Sequence, residues 1–281
     1  MRERPWKIGE RLVDLSRRGM IMGVLNVTPD SFSDGGKFFD RNAAIAHGVQ
    51  LANEGADIID IGGESTRPGA EPISPNEEIE RVIPVIEQLA RKIDKYISID
   101  TSKAEVAEAA LKAGASIVND VTGGRGDAKM MSLVARHSAG FIIMHMQGEP
   151  RTMQQAPHYD DVVSEVAEFF RQQFTRAIDS GLDPMNVAFD PGIGFGKTMD
   201  HNLDLLANLE RLRVDDRPIV VGVSRKSFLG KLVRSDEMQD RHLPTVALTA
   251  LLRGRGADIF RVHEVKENMA ALRAAEAILE R

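Results

Sequence analysis

From residue 21 to the end of the chain, short runs of β-branched and apolar residues alternate with helix-length amphipathic segments. The runs fall at residues 21–25, 58–61, 96–99, 116–118, 141–144, 187–189, 219–223 and 259–262. Helical periodicity occupies 41–54, 75–91, 103–112, 128–137, 160–179, 202–211, 244–253 and 266–280. Glycines follow Glu54, Ala113 and Ser180, as C-caps require, and Asp160 and Asn202 stand where N-caps are expected. A strand that is apolar along its whole length is covered on both faces, which is the condition of a parallel sheet whose crossovers are helices. Eight such units in 281 residues, with no linker-like or low-complexity break, predict an α/β fold of the (β/α)8 or TIM barrel type. One domain over residues 1–281 is expected, with a small hairpin around residues 6–14; an open doubly wound sheet is the competing arrangement.

The polar residues favour the barrel. Asn26, Asp60, Asp100, Asn119, His145, Asp190, Lys226 and His263 each sit at or just past the C-terminal end of a different run. Carboxylates, amides and cations arriving from all eight strand ends are how a barrel assembles a site. Two loops add to this set. The first, residues 26–36, is long for a strand-to-helix connection and carries Phe32 between two serines, with Asp34 beyond it, so a binding loop or lid is expected. The second, residues 62–70, has glycines that allow close backbone approach and holds Arg67 between Thr66 and Pro68, a candidate ligand for an oxyanion.

Asp100, Asn119 and Asp190 follow or lie within apolar runs, where an unpaired carboxylate is costly, so they call for a donor-rich partner. Helix capping is the plainer reading for Asp100, and a turn for Asp190. Taken together, two carboxylates and an amide suit the donor and acceptor edge of a flat heterocycle such as a pterin or purine. The glycine-rich stretch 190–198 matches neither phosphate motif: Pro191 breaks a P-loop and Lys197 a dinucleotide fingerprint. It reads instead as a flexible loop presenting Phe195 as an apolar plate, with Met144 as a second adaptable surface unless it is simply core. After the seventh run, Arg225 and Lys226 are neighbours and point apart, one into the site and one structural, and a short helix opens at Ser227. Arg261 and His263 share a side by the period of two and read as an anion clamp. None of the seven histidines has zinc-ligand spacing.

Composition excludes several classes. A net charge of −6 argues against nucleic acid as a partner, so any anion site is local. The absence of cysteine rules out disulfides and thiolate metal sites. Neither a secretory signal nor an apolar run of membrane-spanning length is present, and a cytoplasmic protein is expected.

These stretches resemble the dihydropteroate synthase family, which joins 6-hydroxymethyl-7,8-dihydropterin diphosphate to p-aminobenzoate and releases pyrophosphate. Residues 23–36, 60–69, 98–102, 119–123, 144–153, 190–197, 222–230 and 256–265 carry the resemblance, in order along nearly the whole chain. It implies that Asp100, Asn119, Asp190 and Lys226 bind the pterin, that Met144, Phe195 and Gly222 shape its slot, and that Arg261 covers a ring face. Asn26, Arg67, Arg261 and His263 would hold the diphosphate, with Asn26 also a Mg2+ ligand. Phe32, Thr66, Pro68, Phe195 and Ser227 would form the p-aminobenzoate pocket. Asp34, Arg67, Lys226, Arg261 and His263 would act in an SN1-like displacement. Family members are usually homodimers. This chain departs from the family pattern slightly, with Glu264 in place of the usual Asp and Thr245 in place of the commoner Ser. A pterin-dependent methyltransferase domain and a non-catalytic pteridine-binding module remain as alternatives. Methyl transfer gives no task to Arg67, Arg261 and His263, and a mere binding module needs no lid at 32–34.

Overall fold

A computed structural model describes residues 3–28, 41–65, 71–148, 153 and 156–281. The chain begins with an antiparallel hairpin, β1 (Pro5–Ile8) and β2 (Arg11–Asp14), in which Trp6 pairs with Val13. Eight parallel strands follow: β3 (Met20–Asn26), β4 (Ile58–Gly62), β5 (Tyr96–Asp100), β6 (Ile117–Asp120), β7 (Gly140–Met144), β8 (Val187–Asp190), β9 (Val220–Val221) and β10 (Ile259–Val262). They are hydrogen-bonded in the order β8-β7-β6-β5-β4-β3-β10-β9, and a parallel bridge from Phe189 to Ile219 joins the two ends. The barrel is thus closed, and the doubly wound sheet is excluded.

Period-two alternation sorts each strand. Ile21, Ile59, Ile97, Val118, Phe141, Val187, Val221 and Phe260 belong to the core shared with the surrounding helices. Residues of the other parity point into the barrel. Its lower interior is apolar: Met22, Ile58, Ile117, Ile142, Ala188, Val220 and Ile259 pack with Trp6, Ile8 and Leu15, so the hairpin stoppers the N-terminal end. Trp6 is fully buried, and its indole N–H donates to the carbonyl of Asn186 at 2.8 Å. Also beneath the barrel, Asp258 accepts from Arg4 (2.8 Å), Arg213 (2.8 Å), Arg253 (3.2 Å) and the amide of Ile219 (3.0 Å).

Ten α-helices lie among the described residues: α1 (Arg41–Asn53), α2 (Pro75–Lys92), α3 (Ala104–Ala113), α4 (Met130–His137), α5 (Val162–Asp179), α6 (Met199–Ala207), α7 (Leu209–Leu212), α8 (Ser227–Val233), α9 (His242–Arg253) and α10 (Val265–Leu279). Several details differ from the sequence reading. The helix expected at 202–211 breaks at Asn208, whose backbone leaves the helical region, into α6 and α7. Its N-cap is Thr198, in a capping box with His201, and not Asn202, whose side chain accepts from the Gly194 amide at 2.7 Å instead. Likewise α5 is capped by Asp161, one residue after the expected Asp160. The strand expected at 219–223 keeps regular pairing only at Val220 and Val221, because the chain beyond turns through Arg225 at a φ of +61°.

Candidate active site

The upper interior of the barrel is polar. Register aligns Asn26 with Gly62, Gly62 with Asp100 and Asp100 with Asn119, and Met144 with Asp190 on the far side. Alternation alone therefore turns Asp60, Asp100, Asn119, Asp190 and Arg261 inward at the C-terminal strand ends. Gly62 leaves the space between Asp100 and Asn26 open; a Cβ there would sit 3.5 Å from the Asp100 Cβ and 3.9 Å from the Asn26 amide oxygen.

Arg261 is the electrostatic centre. Its Nε donates to Asp60 at 2.6 Å and its Nη2 to Asp100 at 2.7 Å, while the Asn119 side-chain amide reaches the same Asp60 oxygen at 3.3 Å. Burial works against the Arg261 charge, but the Asp60 and Asp100 carboxylates overcome it and raise its pKa. Burial pushes the Asp100 carboxyl up to about 7, although the Arg261 guanidinium pulls it back. Asp60, fully buried, keeps one carboxylate oxygen, Oδ1, without a partner among the described residues, and the nearby Ser98 hydroxyl is in the same position. A ligand entering the barrel could meet both atoms.

On the opposite wall stand Asp190 and Lys226. Asp190 accepts from the Gly192 amide at 2.7 Å, and burial raises its carboxyl against the pull of Lys226. Burial holds the Lys226 ammonium down to about 8, despite Asp190. That ammonium donates to the Ile193 carbonyl and lies 4.3 Å from the centre of the Phe195 ring, a cation–π contact. Phe195 itself packs on Val121, Met144, Met146 and Met153, so the plate and the methionine surface are one cluster. Arg225 turns the other way and pairs with Glu264 at 2.7 Å, which separates the two cations as expected. His263 is held from behind: its Nδ1 is 2.9 Å from the Ser224 hydroxyl, which also accepts from the His263 amide at 3.2 Å. Ser227 opens α8, and Gly222 leaves the flank of Arg261 bare, a Cβ there meeting it at 3.7 Å.

Asn26, Asp100, Asn119, Met144, Asp190, Phe195, Gly222, Lys226, Ser227, Arg261 and His263 thus stand at one end of the barrel. Phe32, Asp34, Thr66, Arg67 and Pro68 lie outside the described residues. His145 does not join the convergent set. It has the outward parity, packs edge-on against Phe169 and holds the Lys197 ammonium at 3.0 Å. In the loop at 190–198 the carbonyls of Ile193, Phe195 and Gly196 all accept side-chain hydrogen bonds. Sequence reasoning passed over two residues of consequence, Asp60 as the partner of Arg261 and Lys197 as a fastening. The signal for Asp60 was available, a carboxylate of inward parity in the middle of an apolar run.

A fixed guanidinium, Asp100 and Asp190 carboxyls raised by burial and an aromatic-backed ammonium inside a parallel barrel suit a small, flat, polar ligand with an anionic tail. Comparison with known proteins agrees. The pterin binding enzyme family matches residues 22–263. Dihydropteroate synthase of Synechocystis is 44% identical over 274 residues, covering 98% of this chain and 95% of that protein. A structure of Xanthomonas albilineans dihydropteroate synthase with 4-aminobenzoic acid superposes with a TM-score of 0.92 at 42% identity, covering 100% of both chains. The same enzyme in complex with 7,8-dihydropteroate gives a TM-score of 0.88 at 40% identity, covering 99% of each. The chain belongs to the pterin-binding enzymes and, among them, to the dihydropteroate synthase family; it is a transferase.

Proposed function

We propose that the chain condenses 6-hydroxymethyl-7,8-dihydropterin diphosphate with p-aminobenzoate, giving 7,8-dihydropteroate and pyrophosphate by an SN1-like, Mg2+-assisted displacement. The observation that carries this reading is the ring of buried Asp60, Asn119 and Asp190 and partly buried Asp100 around the Arg261 and Lys226 cations. Asn119 and the Asp190 and Asp100 carboxylates offer acceptors to the amino and N–H groups of a pterin, and Lys226 donates to its ring acceptors. Met144, Phe195 and Gly222 would bound a slot for the ring. Two of the five N–H groups of Arg261 are taken by Asp60 and Asp100, which fix its plane and leave others for a diphosphate oxygen. Arg261 and His263, with Asn26 and Arg67, would take up charge as the bond from methylene carbon to oxygen breaks and its electron pair leaves with pyrophosphate. The cation on the pterin methylene is then captured by the p-aminobenzoate nitrogen, which loses a proton. Asp34 would stabilise that cation, and Phe32, Thr66, Pro68, Phe195 and Ser227 would hold the aryl amine.

The residues present suit a Mg2+ that rides on the substrate. The Asn26 amide oxygen faces the barrel mouth beside Gly62, which has no side chain to cover it, and such an ion retains most of its waters and needs few protein oxygens. When bound it would neutralise charge on the diphosphate. A homodimer is part of the proposal. On α9 and α10, Leu243, Leu251 and Ile278 are 75%, 54% and 74% exposed, an apolar face suited to a second copy. A cytoplasmic place of work is likewise proposed; none of the helices among the described residues is long and apolar enough to cross a membrane.

The test is to supply synthetic pterin diphosphate and labelled p-aminobenzoate and to measure dihydropteroate and pyrophosphate together. Equal release of both, inhibited by sulfonamides in competition with p-aminobenzoate, is expected. Methyl transfer, or pterin binding without pyrophosphate release, would contradict the proposal.

A further inference from the structure

Lys197 is 3% exposed and has no carboxylate within hydrogen-bonding distance among the described residues. Its ammonium has three N–H groups and three acceptors: the His145 Nδ1 at 3.0 Å, the His145 carbonyl at 3.3 Å and the Phe195 carbonyl at 3.0 Å. Burial, with Lys197 and Arg125 beside it, holds the His145 imidazole down to about 2, so His145 is neutral and its Nδ1 accepts. The charged groups facing Lys197 are Lys226, Asp190 and Arg125, and burial with the Lys226 ammonium holds the amine down to about 7. Such a group is expensive to bury, and a fold that needed only packing here would be served better by methionine.

The loop it fastens lies backbone to backbone on the end of β7. A Cβ on Gly192 would come 1.9 Å from the His145 carbonyl oxygen, and one on Gly196 2.5 Å from that of Gln147. Gly192, Gly194 and Gly196 all have positive φ, so the backbone between them has little intrinsic preference to hold it still. The Tyr159 hydroxyl ties down Gly196 at 2.9 Å, and Lys226 itself is bonded to Ile193. Between those two points the Phe195 carbonyl is anchored by Lys197.

We infer that Lys197 is a positioning residue: through His145 and the Phe195 carbonyl it locks the glycine loop to β7, and so sets the Phe195 ring and the Lys226 ammonium for pterin. The inference rests on the proposed function, in which Phe195 and Lys226 meet the pterin. Neither Lys197 nor His145 touches the ligand in this scheme.

The test compares wild type with Lys197→Met. Pterin affinity is read by calorimetry with free 6-hydroxymethylpterin, and steady-state kinetics and thermal unfolding are measured alongside. The methionine variant should melt no lower than wild type, bind pterin roughly tenfold more weakly and raise KM for the pterin diphosphate to match, with kcat within about threefold. Lys197→Gln, which keeps two donors, should fall between the two. A Lys197→Met chain with unchanged pterin affinity and KM overturns the inference, whatever its melting temperature. If the methionine variant does not fold, unchanged affinity in Lys197→Gln overturns it. A wild-type enzyme that binds no pterin and makes no dihydropteroate would refute the proposed function instead, and the inference with it. Wild-type turnover with an indifferent Lys197 variant would refute the inference alone.

Discussion

The two ends of this barrel bury charge in opposite ways. Beneath it, Asp258 receives four hydrogen bonds from Arg4, Arg213, Arg253 and the Ile219 amide, and the lower interior is closed by the Trp6 hairpin. At the top, one Asp60 oxygen and the Ser98 hydroxyl have no partner among the described residues, and burial raises the carboxyls of Asp100 and Asp190. The Asp258 carboxylate is satisfied as it stands and staples distant parts of the chain together. The upper end is complete only with a ligand in it. Identical residue types thus do different work according to whether the fold itself satisfies them.

The sharpest way to separate the ends is at Asp258. Asp258→Ala removes the one carboxylate that Arg4, Arg213 and Arg253 share, leaving them only Glu210 and Glu276 among the described carboxylates, and should cost about 3–5 kcal/mol of stability in denaturant unfolding. KM for the pterin diphosphate in the surviving folded fraction should be unchanged. A loss below about 1 kcal/mol would place this cluster with ordinary surface ion pairs and dissolve the contrast.

The next effect belongs to the top. Asp190→Asn or Lys226→Ala should weaken pterin diphosphate binding by roughly a hundredfold or more while the chain stays folded, because on the proposed function each removes a polar partner of the ring. Wild-type affinity in a folded variant would refute the assignment.

A smaller effect appears with pH. The Asp100 carboxyl is raised to about 7 and the Lys226 ammonium lowered to about 8. Below the first value Asp100 gains a proton and stops accepting; above the second Lys226 loses its charge. Pterin affinity should therefore peak between them and fall by up to about tenfold per pH unit on each side. In the free protein, the raised Asp100 value means that stability falls as pH rises from about 4 to about 7, since the folded form holds the extra proton. The depressed Lys226 value makes stability rise from about pH 8 to about 10.5, where the unfolded form holds it. Asp100→Asn should remove the acid limb of both profiles. A profile left intact by that substitution would assign the titration elsewhere.

The smallest change is expected at Glu264, which pairs with Arg225 at 2.7 Å and lies 3.4 Å from the Ser224 hydroxyl behind His263. Glu264→Asp should alter kcat by less than about threefold. A tenfold loss would make the Ser224–Glu264 contact a determinant of His263 orientation.

Much of this contrast was legible in the sequence. Apolar runs of strand length gave eight strands within a residue or two, save at β9; the C-terminal ends of those runs already gathered Asp100, Asn119 and Asp190 at one mouth, and the period of two set Arg261 beside His263. What escaped depended on contacts between residues far apart in the chain. Arg261 lies 201 residues from Asp60 and Lys197 lies 52 from His145, so neither pairing leaves a local pattern. The same holds for the hairpin: its turn was readable, but its use as a stopper depends on Trp6 reaching Asn186, 180 residues away. The helix breaks at Asn208 and the caps at Asp161 and Thr198 turned on competing local hydrogen bonds, which single-residue preferences rank poorly.

The central claim, that the upper end is left incomplete for a pterin, is tested most directly by a crystal structure of the chain with 6-hydroxymethylpterin. The account predicts the ring inside the barrel, its donor edge about 3 Å from the Asp190 carboxylate and Asn119, the Lys226 ammonium on a ring acceptor, and Met144 and Phe195 bounding the slot. A pterin seated outside the barrel, or inside it with Asp190 and Lys226 beyond hydrogen-bonding reach, would contradict it.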